Sequence, residues 1–494
     1  MSKVKYLVVA LLLLLGLMLV ACGGDTEKAA DPVEETAVEE PAVEEPAAEE
    51  PATEEPAAEV VATEEPAAEV ATGDKVQVRW FVGLGTGADP EQVEKEQALV
   101  DEFNATHDDI EIVVEFVDNS QAPDQLKTQV AAGDPPDIVG PVGQSGVNDF
   151  DGLFLDLEPY LGDYDWSDFD ADSIDAYRMD GQGLLGIPFA VYPSMIYYNR
   201  DLFDEAGLDY PPQVYGEPYA DGDAWTVEKY EELAMLLTVD ANGNDATSPE
   251  FDPENIVQFG AHTQWTDPRG QLAALFGADN FIDADGNAVI SDRWRDGLNW
   301  YYEGMHQKHF MPNSTYQSSD LLAAGNPFDS GNVAMTHCHL WYKCCLGNVP
   351  NWDMAVVPSY NDAGDVTVKL HADTFRVFEA TDNPEAAVEV LNWLTGEAAG
   401  DFLQIYGGFP ARNSLQEGFI TSLDEQFPQG VNWQVAIDGL AYPDIPNHES
   451  NLPNYAKAYD RIGAFQTLYE TEPDLDLNAE IDTLISDLDV IFHE

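Results

Sequence analysis

The stretch LKTQVAAGDPPDIV, residues 126–139, joins a helix to a strand through a tight turn. The helical pattern ends at Ala132, because Gly133 favours a left-handed backbone and Pro135 cannot continue a helix. A strand then begins at Ile138. A helix that leads so directly into a strand is typical of an α/β unit.

The sequence before this stretch shows the same alternation. Residues 76–82 alternate like a strand, residues 90–105 carry an apolar helical face, and residues 110–117 form a second strand. The Gly-rich loop 83–87 has neither the spacing of a P-loop nor that of the dinucleotide fingerprint. We predict an α/β architecture with largely parallel sheets, in which this loop is either a tight turn or a ligand loop at the strand ends.

The composition limits the classes of protein that this chain can belong to. Its 494 residues leave room for two or three domains, and 44% hydrophobic residues with ten tryptophans are ample for a core. The 93 acidic residues against 20 lysines and arginines give a net charge of -73. This charge excludes nucleic acid as a partner and opposes docking on an anionic lipid surface.

The N-terminus has the pattern of an export signal. Lys3 and Lys5 precede an apolar run, residues 7–20, which is too short to span a bilayer. The run ends in LVACG, residues 19–23, which resembles the bacterial lipobox. That resemblance implies a signal peptide over residues 1–21 and a lipid on Cys22, which would hold the protein on the outer side of a membrane.

Residues 22–74 form a low-complexity segment. Its core repeats a five-residue unit, as in EEPAV at 39–43 and EEPAA at 44–48. Regular prolines break helices and paired glutamates repel, so we predict a disordered, extended tether that carries no chemistry.

From Lys75 onward, several motifs occur in an order that resembles the family 1 extracellular solute-binding proteins, the group that includes maltose-binding protein. In Trp225–Leu233, Thr226 is the expected helix N-cap. Two motif positions differ from the family: Arg200 replaces a lysine and Lys229 replaces a capping-box glutamate. The motifs are residues 126–139, LGIP at 185–188, IYYNRDLFDEAGL at 196–208, WTVEKYEEL at 225–233, residues 328–336, NPEAA at 383–387 and GFPAR at 408–412. The chain departs from the family pattern at residues 210–223 and 338–345.

The resemblance implies a two-lobed periplasmic-binding-protein fold of type II with a hinge between the lobes. The expected first lobe comprises residues 75–190 and 367–408, and the second comprises residues 191–366 and 409–494. The resemblance further implies that the protein is a monomer, is not an enzyme and has no cofactor. It also implies a location at the cell surface or in the periplasm. This monomer would capture a small solute, a mono- or oligosaccharide, and deliver it to the membrane subunits of an ABC permease.

Aromatic side chains stack on sugar rings, while carboxylates and amides bind hydroxyl groups. By their positions in the motifs, the candidate ligand-binding residues are Thr86, Gln144, Tyr192, Trp265, Trp341 and Asp373. For Trp265 and Trp341, a place in the core is the alternative.

The cluster His337-Cys338-His339 with Cys344 and Cys345 invites a metal hypothesis, but its spacing matches no structural zinc pattern. We therefore predict no metal there. A Cys338–Cys344 disulfide with one free thiol suits an oxidising compartment, since an adjacent Cys344–Cys345 bond would be strained. Two Asp-rich loops, at 240–244 and 283–287, have glycine at the wrong position for an EF-hand and are expected to be turns.

Other functions remain as alternatives. A secreted glycan-processing enzyme would use paired carboxylates, but nothing in the sequence singles out a pair, and no Gly-x-Ser-x-Gly or His-Glu-x-x-His motif occurs. A structural surface protein would show repeats in the folded part, and none is found there. A protein that binds metal or another solute is the further alternative.

Overall fold

The computed structural model describes residues 75–85, 90–162, 164–169, 174–175, 177–179 and 181–494. The predicted signal peptide, Cys22, the tether and Thr86 lie outside the described residues. In the part of the chain that is described, none of the helices combines the length and hydropathy that a membrane span requires.

The strands, in chain order, are β1 (Val76–Val82), β2 (Ile110–Phe116), β3 (Ile138–Val142), β4 (Arg178–Met179), β5 (Gly183–Leu184), β6 (Ala190–Asn199), β7 (Val239–Asp240), β8 (Ile256–Thr263), β9 (Val333–His339), β10 (Trp352–Ala355), β11 (Leu370–Val377) and β12 (Phe409–Pro410).

The helices are α1 (Pro90–Thr106), α2 (Ala122–Ala132), α3 (Glu158–Leu161), α4 (Arg200–Ala206), α5 (Val227–Leu236), α6 (Pro268–Phe276), α7 (Asp292–His306), α8 (Ser314–Gln317), α9 (Pro384–Thr395), α10 (Ala399–Tyr406), α11 (Asn413–Gln426), α12 (Gln434–Gly439), α13 (Tyr455–Thr471) and α14 (Leu477–Phe492).

Ten of the strands belong to one sheet: eight follow one another in the order β2-β1-β3-β11-β6-β9-β8-β7, and β10 and β12 also pair with β6. β1 pairs parallel with β2 and β3, and β8 pairs parallel with β9. The expectation of largely parallel sheets is wrong, because β6 pairs antiparallel with β9, β10, β11 and β12, and β11 also runs antiparallel to β3. β6 carries the chain from one half of the sheet to the other and β11 carries it back, so these two strands run in opposite directions.

Two long strands, β6 and β11, each belong to both halves of the sheet. The first part of β6 pairs with the first part of β11, from Ala190 opposite Asp373 to Pro193 opposite Leu370. Beyond Ser194, β6 pairs with β9, whereas beyond Thr374, β11 pairs with β3. The predicted two-lobed α/β fold is confirmed, and β6 and β11 are the strands that join the two halves of the sheet.

Aromatic side chains pack against both halves of the sheet within one continuous hydrophobic core. Trp80 in β1 packs against Phe375 and Phe402 at ring-centroid distances of 5.8 and 5.5 Å. In the other half, Trp352 in β10 lies 5.4 Å from Tyr197 and 6.0 Å from Trp433. Both tryptophans are almost completely buried, as the apolar strand patterns require.

Helix α5 begins as the sequence predicts, and its unusual lysine has a structural explanation. The Thr226 Oγ1 atom accepts a hydrogen bond from the Lys229 backbone N–H at 3.3 Å, so Thr226 is the N-cap. The Lys229 Nζ atom is 2.8 Å from Asp221 and 3.1 Å from Asp223. These two aspartates belong to residues 210–223, where the chain departs from the family pattern. The lysine that replaces the capping-box glutamate thus anchors this segment.

We expect Thr226→Ala to lower the free energy of unfolding by about 1 kcal/mol, because an N–H group of the first helical turn loses its acceptor. Urea denaturation of the purified protein measures the change. Thr226→Ser keeps the hydroxyl and should stay close to the wild type, so equal losses in both variants would contradict the capping role.

A buried carboxylate ties the start of α4 to β10 and to the chain near residue 430. Asp353 is 3% exposed. Its Oδ2 atom accepts hydrogen bonds from Arg200 at 2.5 Å, Gln213 at 2.7 Å and Tyr198 at 3.2 Å, and its Oδ1 atom accepts one from the Asn432 backbone at 2.8 Å. Arg200 therefore replaces the family lysine at a site with several acceptors, since it also donates to the Gly430 carbonyl.

The two Asp-rich loops are turns, as predicted. The Oδ1 atom of Asp240 accepts hydrogen bonds from the backbone N–H groups of Asn242 and Asn244, and that of Asp283 accepts from Asp285 and Asn287. The pKa of Asp283 is lowered, first of all by the backbone hydrogen bond from Asn287.

Candidate functional site

Two of the predicted ligand-binding tryptophans lie together at the surface. Trp265 follows β8, is 54% exposed and stacks on Trp341 with a centroid distance of 5.7 Å and an interplanar angle of 15°. Its backbone has φ 41°, which places a bulky residue in the left-handed region. Trp341 lies in the 3-10 turn that follows β9 and is half-buried. The structure thus brings together two residues that are 76 positions apart, and one of them keeps an open aromatic face.

Three histidines continue this stack into the interior. The Trp341 Nε1–H group donates to the Nδ1 atom of His371 at 3.1 Å. The His371 ring stacks on His339 at 3.5 Å and on His448 at 5.2 Å, with interplanar angles of 21° and 17°. We call Trp265, Trp341 and these three histidines the ring row.

Burial favours the neutral form of His339 and His371. Burial lowers the pKa of His371 to about 4. Burial, and after it the neighbouring charge of His371, lowers the pKa of His339 well below its usual value. Neutral imidazole rings accept as well as donate hydrogen bonds, and they can also ligate metals.

A half-buried carboxylate lies beside the ring row on β11. Asp373 accepts a hydrogen bond from the Tyr406 hydroxyl. Burial raises the pKa of Asp373 to about 7, although the bond from Tyr406 acts in the opposite direction. Tyr192 is 4% exposed, and its ring is 6.5 Å from that of Tyr406. Burial raises the pKa of Tyr192 well above its usual value, and the charge of Asp373 adds to the effect. Both predicted residues therefore belong to one polar group, which Tyr406 joins.

Glu449 connects this polar group to the ring row. Its Oε1 atom is 3.5 Å from the His371 Nε2 atom and accepts a hydrogen bond from the Ser145 hydroxyl at 2.5 Å. Burial opposes its ionisation, but the combined effects of His371, His448, the hydrogen bond from Ser145 and Arg269 hold its pKa below the ordinary value. The Asn148 side chain donates to the Glu449 carbonyl at 3.0 Å, so the segment that carries Glu449 is fastened to the 3-10 turn after β3.

Gln144, by contrast, is not free to meet a ligand. Its Oε1 atom accepts from Arg376 at 2.8 Å, and its Nε2 group donates to Asn148 at 2.8 Å. A ligand would have to displace one of these bonds. The ligand-binding role of Gln144 remains a prediction, as does that of Thr86.

A cavity of about 330 Å³ opens beside Trp265, a size within the usual range for small-molecule sites. Its polar lining residues, which could bind hydroxyl groups, are Gln264, Gln271, Tyr301, Gln466 and Glu470.

The predicted Cys338–Cys344 disulfide is absent from the structure, where both residues are free, as is Cys345. Cys338 is buried in β9 with its Sγ atom 3.9 Å from the Gln264 carbonyl, whereas the Cys344 Sγ atom is 2.9 Å from that of Cys345. The two predicted partners thus point to different neighbours, because one lies on a central strand and the other in the turn that follows.

Four residues of the site were missed in the sequence: His371, His448, Glu449 and Tyr406. His371 occurs in HADT at 371–374, directly beside the predicted Asp373, and the alternation along a strand could have placed it near the cleft. His448 and Glu449 lie in a segment without periodicity, and nothing in the sequence indicates which strand it contacts.

The raised pKa of Asp373 predicts a dependence of stability on pH. Between about pH 4 and pH 7 the folded state holds a proton that the unfolded state has released, so the free energy of unfolding falls as pH rises through this window. In Asp373→Asn, the total fall in the free energy of unfolding over this pH window should be smaller by on the order of 1–2 kcal/mol. Urea denaturation at several pH values measures both slopes, and parallel profiles for wild type and variant would refute the assignment.

A protein-family profile described as "Bacterial extracellular solute-binding protein" matches residues 87–401. An arabinooligosaccharide-binding protein of Halalkalibacterium halodurans is 24% identical over 284 residues, which are 53% of this chain and 56% of that protein. The chain thus spans about half the length of this curated relative. An uncharacterised lipoprotein of Streptomyces antibioticus, from the oleD 5' region, is 28% identical over 153 residues, 30% of this chain and 31% of that protein.

Solved structures match over most of the chain. The substrate-binding protein Lmo0181 of Listeria monocytogenes, solved with cycloalternan, has a TM-score of 0.62 and 19% identity and covers 84% of this chain and 98% of its own. UspC of M. tuberculosis has a TM-score of 0.63 and 19% identity, with coverages of 84% and 100%. The sugar-binding protein MalE of Xanthomonas citri has a TM-score of 0.62 and 18% identity, with coverages of 85% and 98%. At such identities the likeness is one of fold.

Proposed function

The chain belongs to the bacterial extracellular solute-binding protein family, and from this premise we propose that it captures a carbohydrate for an ABC importer. The proposed ligand is a mono- or oligosaccharide held between the lobes. Relatives named for an arabinooligosaccharide and solved with cycloalternan support the choice of a carbohydrate.

The observation that carries this proposal is the exposed face of Trp265. A tryptophan at φ 41° costs backbone strain, and such strain is retained mainly where function requires it. Trp341 supports its inner face at 5.7 Å, so the outer face is rigid and open. A flat apolar surface of this kind suits the apolar face of a pyranose or furanose ring.

Hydroxyl groups of a stacked sugar would find two sets of polar partners. The first set comprises the amides and the carboxylate of the cavity beside Trp265, among them Gln264 and Glu470. We propose Asp373 and Glu449 as the second set of partners, because Glu449 lies 3.5 Å from His371 in the ring row. We propose that these polar groups select the sugar, since buried polar groups left without a partner penalise a wrong ligand.

The strands β6 and β11 are the proposed crossing segments between the lobes. We propose that the first lobe comprises residues 75–190 with 367–408, and that the second comprises residues 191–366 with 409–494. Closure about the paired segment Ala190–Pro193 would bring the two lobes together on the sugar. The permease would then engage the closed form.

For the N-terminus we propose lipidation at Cys22, a tether over residues 22–74 and an extracytoplasmic location, and for the protein a monomeric state. The basis is the LVACG motif and the composition of the segment. Incorporation of labelled fatty acid in a bacterial host, with Cys22→Ser as the unlabelled control, tests the anchor directly.

The decisive experiment is titration calorimetry of the purified protein with arabino-, malto- and manno-oligosaccharides, and with amino acids and glycerol phosphates as other solutes. Binding of one carbohydrate class, with the sugar recovered unaltered afterwards, is the expected result. A sugar recovered in cleaved form would favour a glycan-processing enzyme. Binding only of a non-carbohydrate solute would overturn the proposal.

A further inference from the structure

We infer that His339, His371 and His448 form a binding site for a borderline divalent cation, for which Zn²⁺ has the best-matched chemistry. One ring nitrogen from each histidine lies within 4.8 Å of the others. Imidazole is a preferred ligand of Zn²⁺, and three protein ligands with an open fourth position make a common zinc arrangement.

The three ligands come from separate parts of the fold. His339 ends β9, His371 lies on β11 where this strand pairs with β6, and His448 follows 77 residues after His371. His339 is 0% exposed and His448 is 5% exposed. A cation held by all three would therefore join the second half of the sheet, the crossing strands and the segment that Glu449 fastens to the first half.

His448 has the orientation that a metal ligand needs. Its Nδ1 atom is 2.7 Å from the Asp444 Oδ2 atom, and because a carboxylate only accepts hydrogen bonds, Nδ1 carries the proton and donates. The Nε2 atom of His448 therefore carries the lone pair, and it lies 3.3 Å from the Nε2 atom of His371. A carboxylate behind the outer nitrogen of a histidine ligand is the usual support in zinc sites.

His339 adds an independent observation. Both of its ring nitrogens are buried, and among the described residues neither has a hydrogen-bond partner. A buried polar atom without a partner is costly and requires an explanation, which a bound cation would supply for one nitrogen.

The negative charges around the histidine cluster compensate the positive charge of a bound cation only in part. Glu449 lies 3.5 Å from the His371 Nε2 atom and could serve as a fourth ligand, and Asp444 adds a second carboxylate. The buried Lys369, whose charge also acts on His339 and His371, opposes them. We therefore expect Lys369→Met to bind the cation about tenfold more tightly.

Occupancy would also change Trp341. The His371 Nδ1 atom now accepts from the Trp341 Nε1–H group at 3.1 Å. A neutral His371 that binds a cation through Nε2 must carry its proton on Nδ1, where it would face the indole proton. Trp341 would then have to turn away, so its fluorescence should report binding. Any resulting change in sugar affinity rests on the proposed function, but the cation site itself does not.

The test is a titration of the metal-stripped, purified protein with Co²⁺, a spectroscopic substitute for Zn²⁺, followed by visible absorption and tryptophan fluorescence. We expect intense tetrahedral bands at saturation and competition by Zn²⁺. His448→Gln should weaken binding at least about 100-fold, and Asp444→Asn about tenfold. His107→Gln, which replaces a histidine hydrogen-bonded to the Phe103 carbonyl, should bind like the wild type.

A double variant, Cys344→Ser with Cys345→Ser, removes the exposed thiol pair and should keep the cobalt bands. Failure of the wild type to bind Co²⁺, or bands that vanish only in the cysteine variant, would overturn the inference. If His448→Gln does not fold, the wild-type titration and the graded effect of Asp444→Asn still test whether the cation site exists. A protein that binds sugar but no cation would overturn this inference alone, whereas one that binds a cation but no sugar would overturn the proposed function alone.

Discussion

Asp353→Ala should lower the free energy of unfolding by about 4 kcal/mol, because it removes one partner of a buried ion pair. The Arg200 guanidinium is only 17% exposed and would keep its charge without the carboxylate. In the same step the Asn432 backbone N–H would lose its acceptor, and Gln213 would lose one of its two closest acceptors. The loss of several bonds to one charged group explains why this effect exceeds that of an ordinary core polar substitution.

Urea or thermal denaturation of the purified protein measures the loss. The matched control is Lys457→Met, which breaks the exposed pair between Lys457 and Glu494 and should cost less than about 1 kcal/mol. Equal effects of the two substitutions would show that burial of the Asp353 network contributes nothing. Arg200→Lys should lie between the two, since a lysine keeps the charge but cannot reach both Asp353 and the Gly430 carbonyl.

Trp265→Gly should weaken binding of the preferred oligosaccharide about 70-fold. The sugar would no longer cover about 100 Å² of aromatic surface, which at about 25 cal/mol per Å² corresponds to about 2.5 kcal/mol. The same substitution places glycine at φ 41°, where it is not strained, so the melting temperature without ligand should be equal to or above that of the wild type.

The combination of lost affinity and unchanged stability is what distinguishes a ligand platform from a structural tryptophan. Calorimetry gives the affinity and thermal denaturation gives the stability. Trp166→Ala removes a half-buried tryptophan that packs against Tyr164, away from the ring row, and should leave sugar affinity unchanged. Wild-type affinity in Trp265→Gly would move the sugar site elsewhere in the cleft.

Local features of the fold could be predicted from the sequence. The helix and strand alternation from residue 76 to residue 139 is confirmed, as are the Thr226 cap and the two Asp-rich turns. These features depend on neighbouring residues, so their periodicity or turn chemistry is visible along the chain. The direction of strand pairing was mispredicted, because it depends on how the chain passes between the lobes.

The candidate site was predictable only in part for the same reason. Four predicted residues follow or interrupt recognisable motifs, and the structure places them near one another: Trp265, Trp341, Tyr192 and Asp373. The histidine cluster could not be predicted, because the sequence shows only that His337 and His339 occupy alternate positions of one strand. The partners of His339 come from residues 371 and 448 instead.

The pairing of β3 with β11 has a consequence for the order of folding. Gln144 after β3 and Arg376 in β11 are hydrogen-bonded although 232 residues separate them. Closing so long a loop is slow unless its ends are already near each other. The hydrogen bond from the Ser194 N–H group to the Lys369 carbonyl at 2.9 Å provides that proximity once the intervening segment is structured. The inserted half should therefore acquire its structure first, while the N-terminal strands, which are synthesised earliest, wait for β11. During this delay β3 presents an open edge, which makes the N-terminal strands the part of a newly made chain most in need of protection from aggregation.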